Sequence, residues 1–174
     1  LLDKGAHINA QDKHTGEAAL GVAAEIGNLE IATLLIENGA DINAKDGTNE
    51  PTALMYAAQS WYSTLEVVAF LIENGADIDA KDTDEKTALM HIVIYNENLE
   101  IATLLIKNGT NLDAKSSYGS TALMFAGRLN KLEVARLLIE NGADIHSKDT
   151  NERTAMMYTA ANGNLEVARL LIEN

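Results

Sequence analysis

The sequence predicts an all-α repeat fold, an α-solenoid of stacked helix-turn-helix units joined by short β-hairpin or turn connections. Two markers and one pattern predict it. The stretch Thr-Ala-Leu-Met and its variants begin at Ala18, Thr52, Thr87, Thr121 and Thr154, with spacings of 34, 35, 34 and 33 residues. An independent marker, the glycine inside Glu-Asn-Gly-Ala-Asp-Ile, falls at Gly5, Gly39, Gly75, Gly109 and Gly142, spaced 34, 36, 34 and 33. Two markers with nearly one period identify a tandem array. Within each period the apolar residues recur at helical spacing in two short runs separated by a turn.

The first run of each unit opens on a hydroxyl N-cap candidate, Thr52, Thr87, Thr121 or Thr154, which can accept a bond from an unpaired first-turn amide. A Gly-Asn or its substitute ends this run, and Asn28, Asn98 and Asn164 are placed to cap the second. Glu30, Glu66, Glu100, Glu133 and Glu166 follow in the first turn, where the positive end of the helix macrodipole favours a carboxylate. The second run carries a broad apolar face, as in Leu29, Ala32, Leu35 and Ile36. It ends at Asn38-Gly39 and its equivalents, where glycine accepts the left-handed C-cap conformation. On the opposite face Glu133, Arg136 and Glu140, and again Glu166, Arg169 and Glu173, form a solvated charge pattern. The segment Ala-Asp-Ile-Asn-Ala-Lys-Asp with a few Gly, Asn, Thr or Ser residues connects the units. Neither helix is long enough to persist alone, so each unit must stack on its neighbours.

These segments, namely Thr-Ala-Leu-Met, Ala-Ala-x-x-Gly-Asn-Leu-Glu and Leu-Leu-Ile-Glu-Asn-Gly-Ala-Asp-Ile-Asn-Ala-Lys-Asp at this period, resemble the ankyrin repeat family over essentially the whole chain. The resemblance implies one domain, 1–174, divided as 1–10 (partial), 11–44, 45–80, 81–114, 115–147 and 148–174 (incomplete). The sequence departs from the family in three respects. The usual Thr-Pro-Leu-His stands here as Thr-Ala-Leu-Met. The loop glycine is replaced near Glu85 and Glu152, where Asp84 and Asn151 are expected to take the left-handed conformation. The first two connections each carry one extra residue. Both ends fall within a unit, so the array reads as part of a longer chain. The resemblance further implies a hydroxylation site at the loop residue that Asn9 and Asn43 occupy.

Composition narrows the chemistry. With 13 Lys and Arg against 26 Asp and Glu the net charge is −13, which disfavours nucleic acid and anionic membrane surfaces as partners. Cysteine is absent, excluding thiolate metal sites, disulfides and cysteine nucleophiles. That suits a reducing compartment, and a cytoplasmic monomer is expected. No apolar run approaches a membrane span, and Leu1-Leu2-Asp3-Lys4-Gly5 lacks the features of a signal peptide. The four histidines His7, His14, His91 and His146 are not paired at ligand spacing. His91 shares a column with Val22, Tyr56, Phe125 and Tyr158 and is expected to pack in an aromatic stack. The segment 82–86 resembles a calcium loop only briefly, since the sixth and twelfth positions hold Thr87 and Val93. No catalytic, cofactor or metal site is predicted, and the chain is expected not to be an enzyme.

The leading functional reading is a non-catalytic scaffold that binds a protein or peptide on its concave or rim surface, as the family resemblance implies. Two others stand beside it: the recognition segment of a larger enzyme, toxin or secreted effector, and a structural spacer. Residues that vary among units at exposed positions can serve a partner. Trp61 and Tyr62, in a two-residue insertion between the helices of one unit, lead this set, followed by Ile94 and Tyr95, then Arg128 and Leu129, with Tyr118 at a loop tip. Trp, Tyr and Arg are the residue types most enriched among binding hot spots. Whether Trp61 stands free or folds over the lengthened turn is open at this level. A volume exchange is also expected: where other units have two small residues the third has Ile92-Val93, and Gly127 in the next unit is expected to accommodate Val93.

Overall fold

Why two short helices per period suffice is visible in what they bury. The computed structural model describes residues 7–174, so the first marker glycine, Gly5, lies outside the described residues. The described residues form two compact units, 7–77 and 78–174. The first contains α1 (Ala19–Glu25), α2 (Leu29–Glu37), α3 (Ala53–Gln59) and α4 (Leu65–Glu73). Here α1 packs on α3 and α2 on α4, so that like helices of successive repeats face each other. The second unit contains α5 (Ala88–His91), continued by a π-helical turn over Ile92–Asn96, then α6 (Leu99–Lys107), α7 (Ala122–Leu129), α8 (Leu132–Glu140), α9 (Ala155–Ala161) and α10 (Leu165–Glu173). Within it α7 packs on α9, α6 on α8 and α8 on α10.

The core follows the apolar columns. Leu54, Met55, Leu89, Met90, Leu123 and Met124 of the first helices are buried, as are Val67, Leu71, Ile101, Leu105, Val134, Leu138 and Val167 of the second. Alanines on the first helices (Ala24, Ala57, Ala58 and Ala126) have no exposed surface, which lets neighbouring helices approach closely. The second helices end as the glycine pattern predicts: Gly39, Gly75, Gly109 and Gly142 have φ between 83° and 92°. Among the described residues the connections between repeats are tight turns with an isolated bridge, Gln11 to Ala18, rather than β-hairpins of paired strands.

Capping is more varied than the residue pattern implies. Asn28 and Asn98 accept from the amides of Ile31 and Ile101 at 2.9 and 3.0 Å. Thr121 and Thr154 accept from Met124 and Met157 at 3.4 and 3.5 Å. Thr52 and Thr87 make no such bond, although their backbones are extended in the same way. Asn164 does not cap α10. Its Nδ2 instead donates to the carbonyl oxygens of Gly127 and Arg128 at 2.7 and 3.2 Å, tying the turn between α9 and α10 to the end of α7.

The loop tips correct a second expectation. The left-handed residues are Glu85 and Glu152 themselves, with φ of 57° and 60°, and not Asp84 and Asn151. The reason is the Asx turn that each loop builds. The Asp82 carboxylate accepts from the amides of Asp84 and Lys86 at 2.9 and 2.8 Å, and its carbonyl accepts from Glu85 at 2.9 Å. Left-handed Glu85 stands where the loop turns back toward this carboxylate. Asp149 organises 149–153 in the same way. Gly119 (φ 75°) fills this position in the intervening repeat, where an added Cβ would lie 2.8 Å from the amide nitrogen of Thr150.

The expected exchange between Val93 and Gly127 does not occur. A Cβ on Gly127 would meet the Oγ1 of Thr159 at 2.5 Å and the carbonyl of Ala155 at 3.0 Å, so its missing side chain admits the following repeat instead. Ile92 and Val93 are wholly buried, and the extra residue of their repeat is taken up by the π-helical turn. Glu97 closes that turn with φ of 56°, beside the Lys131 ammonium with which it pairs.

The left-handed glutamates generate a prediction. A non-glycine residue there costs about 1–2 kcal/mol, and the ion pairs Lys81–Glu85 and Lys148–Glu152 are solvent-exposed and return only a small part of it. Glu85→Gly and Glu152→Gly should therefore each stabilise the fold only slightly, by less than about 1 kcal/mol, because glycine's greater unfolded-state entropy offsets about 0.5–1 kcal/mol of the relieved strain. Urea unfolding of the two variants checks this, and a loss of stability in both would contradict it.

Candidate functional site

The residues that give each repeat its own character lie at the loop tips and the ends of the first helices. Their placement starts from a buried carboxylate. Asp82, Asp149 and Asp46 are almost fully inaccessible. Each reaches the first helix of its own repeat: Asp82 Oδ2 lies 3.0 Å from His91 Nε2, and Asp149 Oδ2 accepts from the Tyr158 hydroxyl at 2.6 Å. Asp46 accepts from the Tyr56 hydroxyl and, at 2.5 Å, from the amide of Ala18 in the preceding repeat. His91 is thus a buried hydrogen-bonding residue, tilted against Tyr95 with ring centroids 5.5 Å apart.

Electrostatics separates the three. Burial pushes Asp46 up, and the Ala18 amide and Tyr56 hydroxyl offset this only in part. Burial also pushes Asp82 up, but the bonds from His91 and the Lys86 amide outweigh it and hold the carboxyl below its usual range. At Asp149 the same burial is overcome by the Tyr158 hydroxyl, the amides of Arg153 and Asn151 and the Arg153 guanidinium, which bring it down to about 2. The Tyr56 and Tyr158 hydroxyls are pushed up, first by burial and then by their carboxylate partners. Sequence reasoning missed this set of carboxylates. The available signal was the aspartate ending each Ala-Lys-Asp or Ser-Lys-Asp segment, followed nine or ten residues later by a Tyr or His; where that column holds Phe125, the aspartate is replaced by Ser116.

In the first unit, α3 ends at Gln59 and Ser60 turns extended. The Ser60 hydroxyl accepts from the Tyr62 amide at 3.0 Å, and Thr64 caps α4 by accepting from Val67 at 3.4 Å. The inserted backbone leans on the preceding turn, since a Cβ on Gly27 would lie 2.5 Å from the Tyr62 carbonyl oxygen. From this braced loop Trp61 and Tyr62 point outward, 75% and 78% exposed. Asn9 and Asn43, the candidate modification positions, join successive loops: Asn43 accepts from the Asp77 amide at 2.7 Å and donates to the Gly75 carbonyl at 3.1 Å, and Asn9 does the same toward Asp41 and Gly39 at 3.0 and 3.4 Å.

In the second unit, Tyr95 is 49% and Tyr118 73% exposed, Leu129 is exposed, and Ile94 is half-buried. Tyr118 and Arg128 border one cleft of about 250 Å³ that also draws on Lys86, Phe125, Arg153 and Tyr158. Arg128 lies over the Phe125 ring at 5.0 Å, and Arg153 over the Tyr158 ring at 4.7 Å. The tips bounding the cleft are joined by backbone bonds, Ser117 amide to Asp84 carbonyl at 2.8 Å and Thr150 amide to Tyr118 carbonyl at 3.1 Å. Tyr118 and Arg128 are therefore brought together, whereas Ile94, Tyr95 and Leu129 do not line this cleft.

The depressed Asp149 carboxyl sets a pH dependence. A folded-state value below the unfolded one stabilises the fold above about pH 4, and that stabilisation is lost as pH falls toward 2. The destabilisation caused by Asp149→Asn should accordingly be larger by about 2 kcal/mol at pH 6 than at pH 2. Denaturant unfolding of both proteins at the two pH values measures the difference; a pH-independent gap would contradict it.

Comparison with known proteins agrees with this architecture. The family model described as ankyrin repeats (3 copies) matches residues 1–82 and 54–149. Over 51 residues, 28% of the chain, the sequence is 45% identical to the ankyrin repeat and KH domain-containing protein mask-1 of Caenorhabditis elegans, of which the match spans 2%. Ankyrin repeats are generally protein–protein interaction modules and are typically non-enzymatic. Among the described residues no helix is long and apolar enough to cross a membrane. With helix pairs stacked like on like, left-handed glycines closing α2, α4, α6 and α8 and a family match over 1–149, the chain belongs to the ankyrin repeat family.

Proposed function

We propose that the chain is a non-catalytic scaffold that binds a protein partner through exposed side chains at the ends of its first helices and at its loop tips. The observation that carries this reading is the Trp61–Tyr62 insertion. Two adjacent aromatic side chains stand in water on a loop held by Ser60 and seated against Gly27. Leaving two large aromatic rings exposed gives no folding benefit, whereas such residues on a pre-ordered backbone lose little entropy when a partner covers them. Tyr95, Ile94, Tyr118, Arg128 and Leu129 extend the set in the second unit. The variation among repeats at these positions, against near-identity in the buried columns, is what a recognition surface requires and a spacer does not.

A second reading, in which the repeats are the recognition segment of a longer multidomain protein, draws support from the relative in C. elegans. That protein carries a KH domain as well as ankyrin repeats, and the matched stretch is a small part of its length.

Cross-linking capture from the natural source, followed by titration of the captured protein in purified form, tests the first reading. Trp61→Ala/Tyr62→Ala should weaken binding by at least about 30-fold, the effect of losing a hot spot worth 2 kcal/mol or more. Equal affinity of wild type and variant for every captured protein would reject these residues as the anchor.

A further inference from the structure

Resting on the reading of the chain as a protein-binding module, the cleft of the second unit identifies the chemistry of an occupant. The fourth repeat differs from the others on the face that lines the cleft. Its loop has Ser116 where other repeats carry Asp12, Asp46, Asp82 and Asp149, and its first helix has Arg128 where they carry Glu25, Gln59, Ile94 and Ala161. One negative charge is removed and one positive charge added at neighbouring positions of a chain whose net charge is −13.

The cations around the cleft are not equivalent. The Lys86 ammonium pairs with Asp84. The Arg153 guanidinium is 3.1 Å from Asp149, whose charge is already held by Tyr158 and two backbone amides. Arg128 has no carboxylate within ion-pairing distance among the described residues. It is exposed, and the Phe125 ring beneath it orients the planar guanidinium without consuming its donors. One surplus positive charge therefore faces the cleft.

We infer that this cleft binds an extended peptide segment through the carboxylate of an Asp or Glu side chain, held by Arg128, with a neighbouring apolar or aromatic residue against Tyr118. A carboxylate matches the surplus charge and the fork of donors on the guanidinium. A phosphate group carries about −1.5 to −2 at neutral pH, which would exceed that charge and face Asp84. The volume of about 250 Å³ takes one or two side chains and lies below the roughly 300–1,000 Å³ of sites that enclose a cofactor or drug-sized ligand. The backbone bonds joining the three loop tips order the cleft before binding, so the segment meets a formed site.

Selection of a random-peptide display library on the intact protein tests the inference. Enrichment of Asp or Glu beside Trp, Phe, Tyr or Leu is expected. The enriched peptide, its Glu→Gln or Asp→Asn form and a phosphoserine form are then titrated by fluorescence anisotropy. Arg128→Gln should weaken the acidic peptide at least about tenfold and leave the amide form unaffected, with an unchanged thermal melt because Arg128 is exposed. Tighter binding of the phosphoserine form, enrichment without an acidic residue, no enrichment at all, or insensitivity to Arg128→Gln would each overturn the assignment. Binders lost on Trp61→Ala/Tyr62→Ala but retained on Arg128→Gln would overturn it while supporting the broader protein-binding reading.

Discussion

The loop carboxylates are the interaction on which the rest depends. Asp46, Asp82 and Asp149 stand at the junction between a loop that has no regular structure and a helix too short to hold its place alone. Burying a carboxylate is costly unless its oxygens are satisfied; at Asp82 and Asp149 the satisfying groups come from both sides, whereas Asp46 keeps one buried oxygen without a partner. Asp82 and Asp149 take two amides from their own loops, while the helix supplies an imidazole or a phenol. A single side chain thereby sets the loop's shape and its attachment to the helix. Left-handed Glu85 and Glu152 accompany those bonds, at the point where each loop turns back toward its carboxylate.

The fourth repeat dispenses with that interaction and keeps the fold. Ser116 and Phe125 replace the carboxylate and its hydrogen-bonding partner together, a change that leaves neither group unsatisfied. The loop keeps its form through the Ser116 hydroxyl, which accepts from the Ser120 amide at 3.2 Å, and through the glycine at 119. The structural role passes to neutral groups, and the ring of Phe125 is free to support Arg128. The same exchange that preserves the fold changes the charge of the surface above it.

The two insertions illustrate different ways of absorbing length. One extra residue in the third repeat is wound into a π-helical turn, with Ile92 and Val93 kept in the core and Glu97 turning the chain out. Two extra residues in the second repeat cannot be wound in and are expelled as a loop, which places Trp61 and Tyr62 in solvent. Helix geometry tolerates a single added residue as a bulge; beyond that the surplus goes outward, where it is available to a partner.

The repeat, its period, the ends of the second helices and the buried columns are legible in the residues alone, because they rest on local rules: helical spacing of apolar residues, and glycine where φ must be positive. The sequence also singled out Trp61, Tyr62, Tyr118 and Arg128 as departures from the pattern. The packed fold was needed to establish that Trp61 faces solvent, that Gly127 makes room for Thr159 rather than Val93, that Asn164 ties two repeats instead of capping a helix, and that Arg128 alone among the cleft's cations lacks a counter-charge. Each of these depends on which side chain a neighbouring repeat places within a few ångströms. That distance is set by the packing of whole helices, which no single repeat encodes.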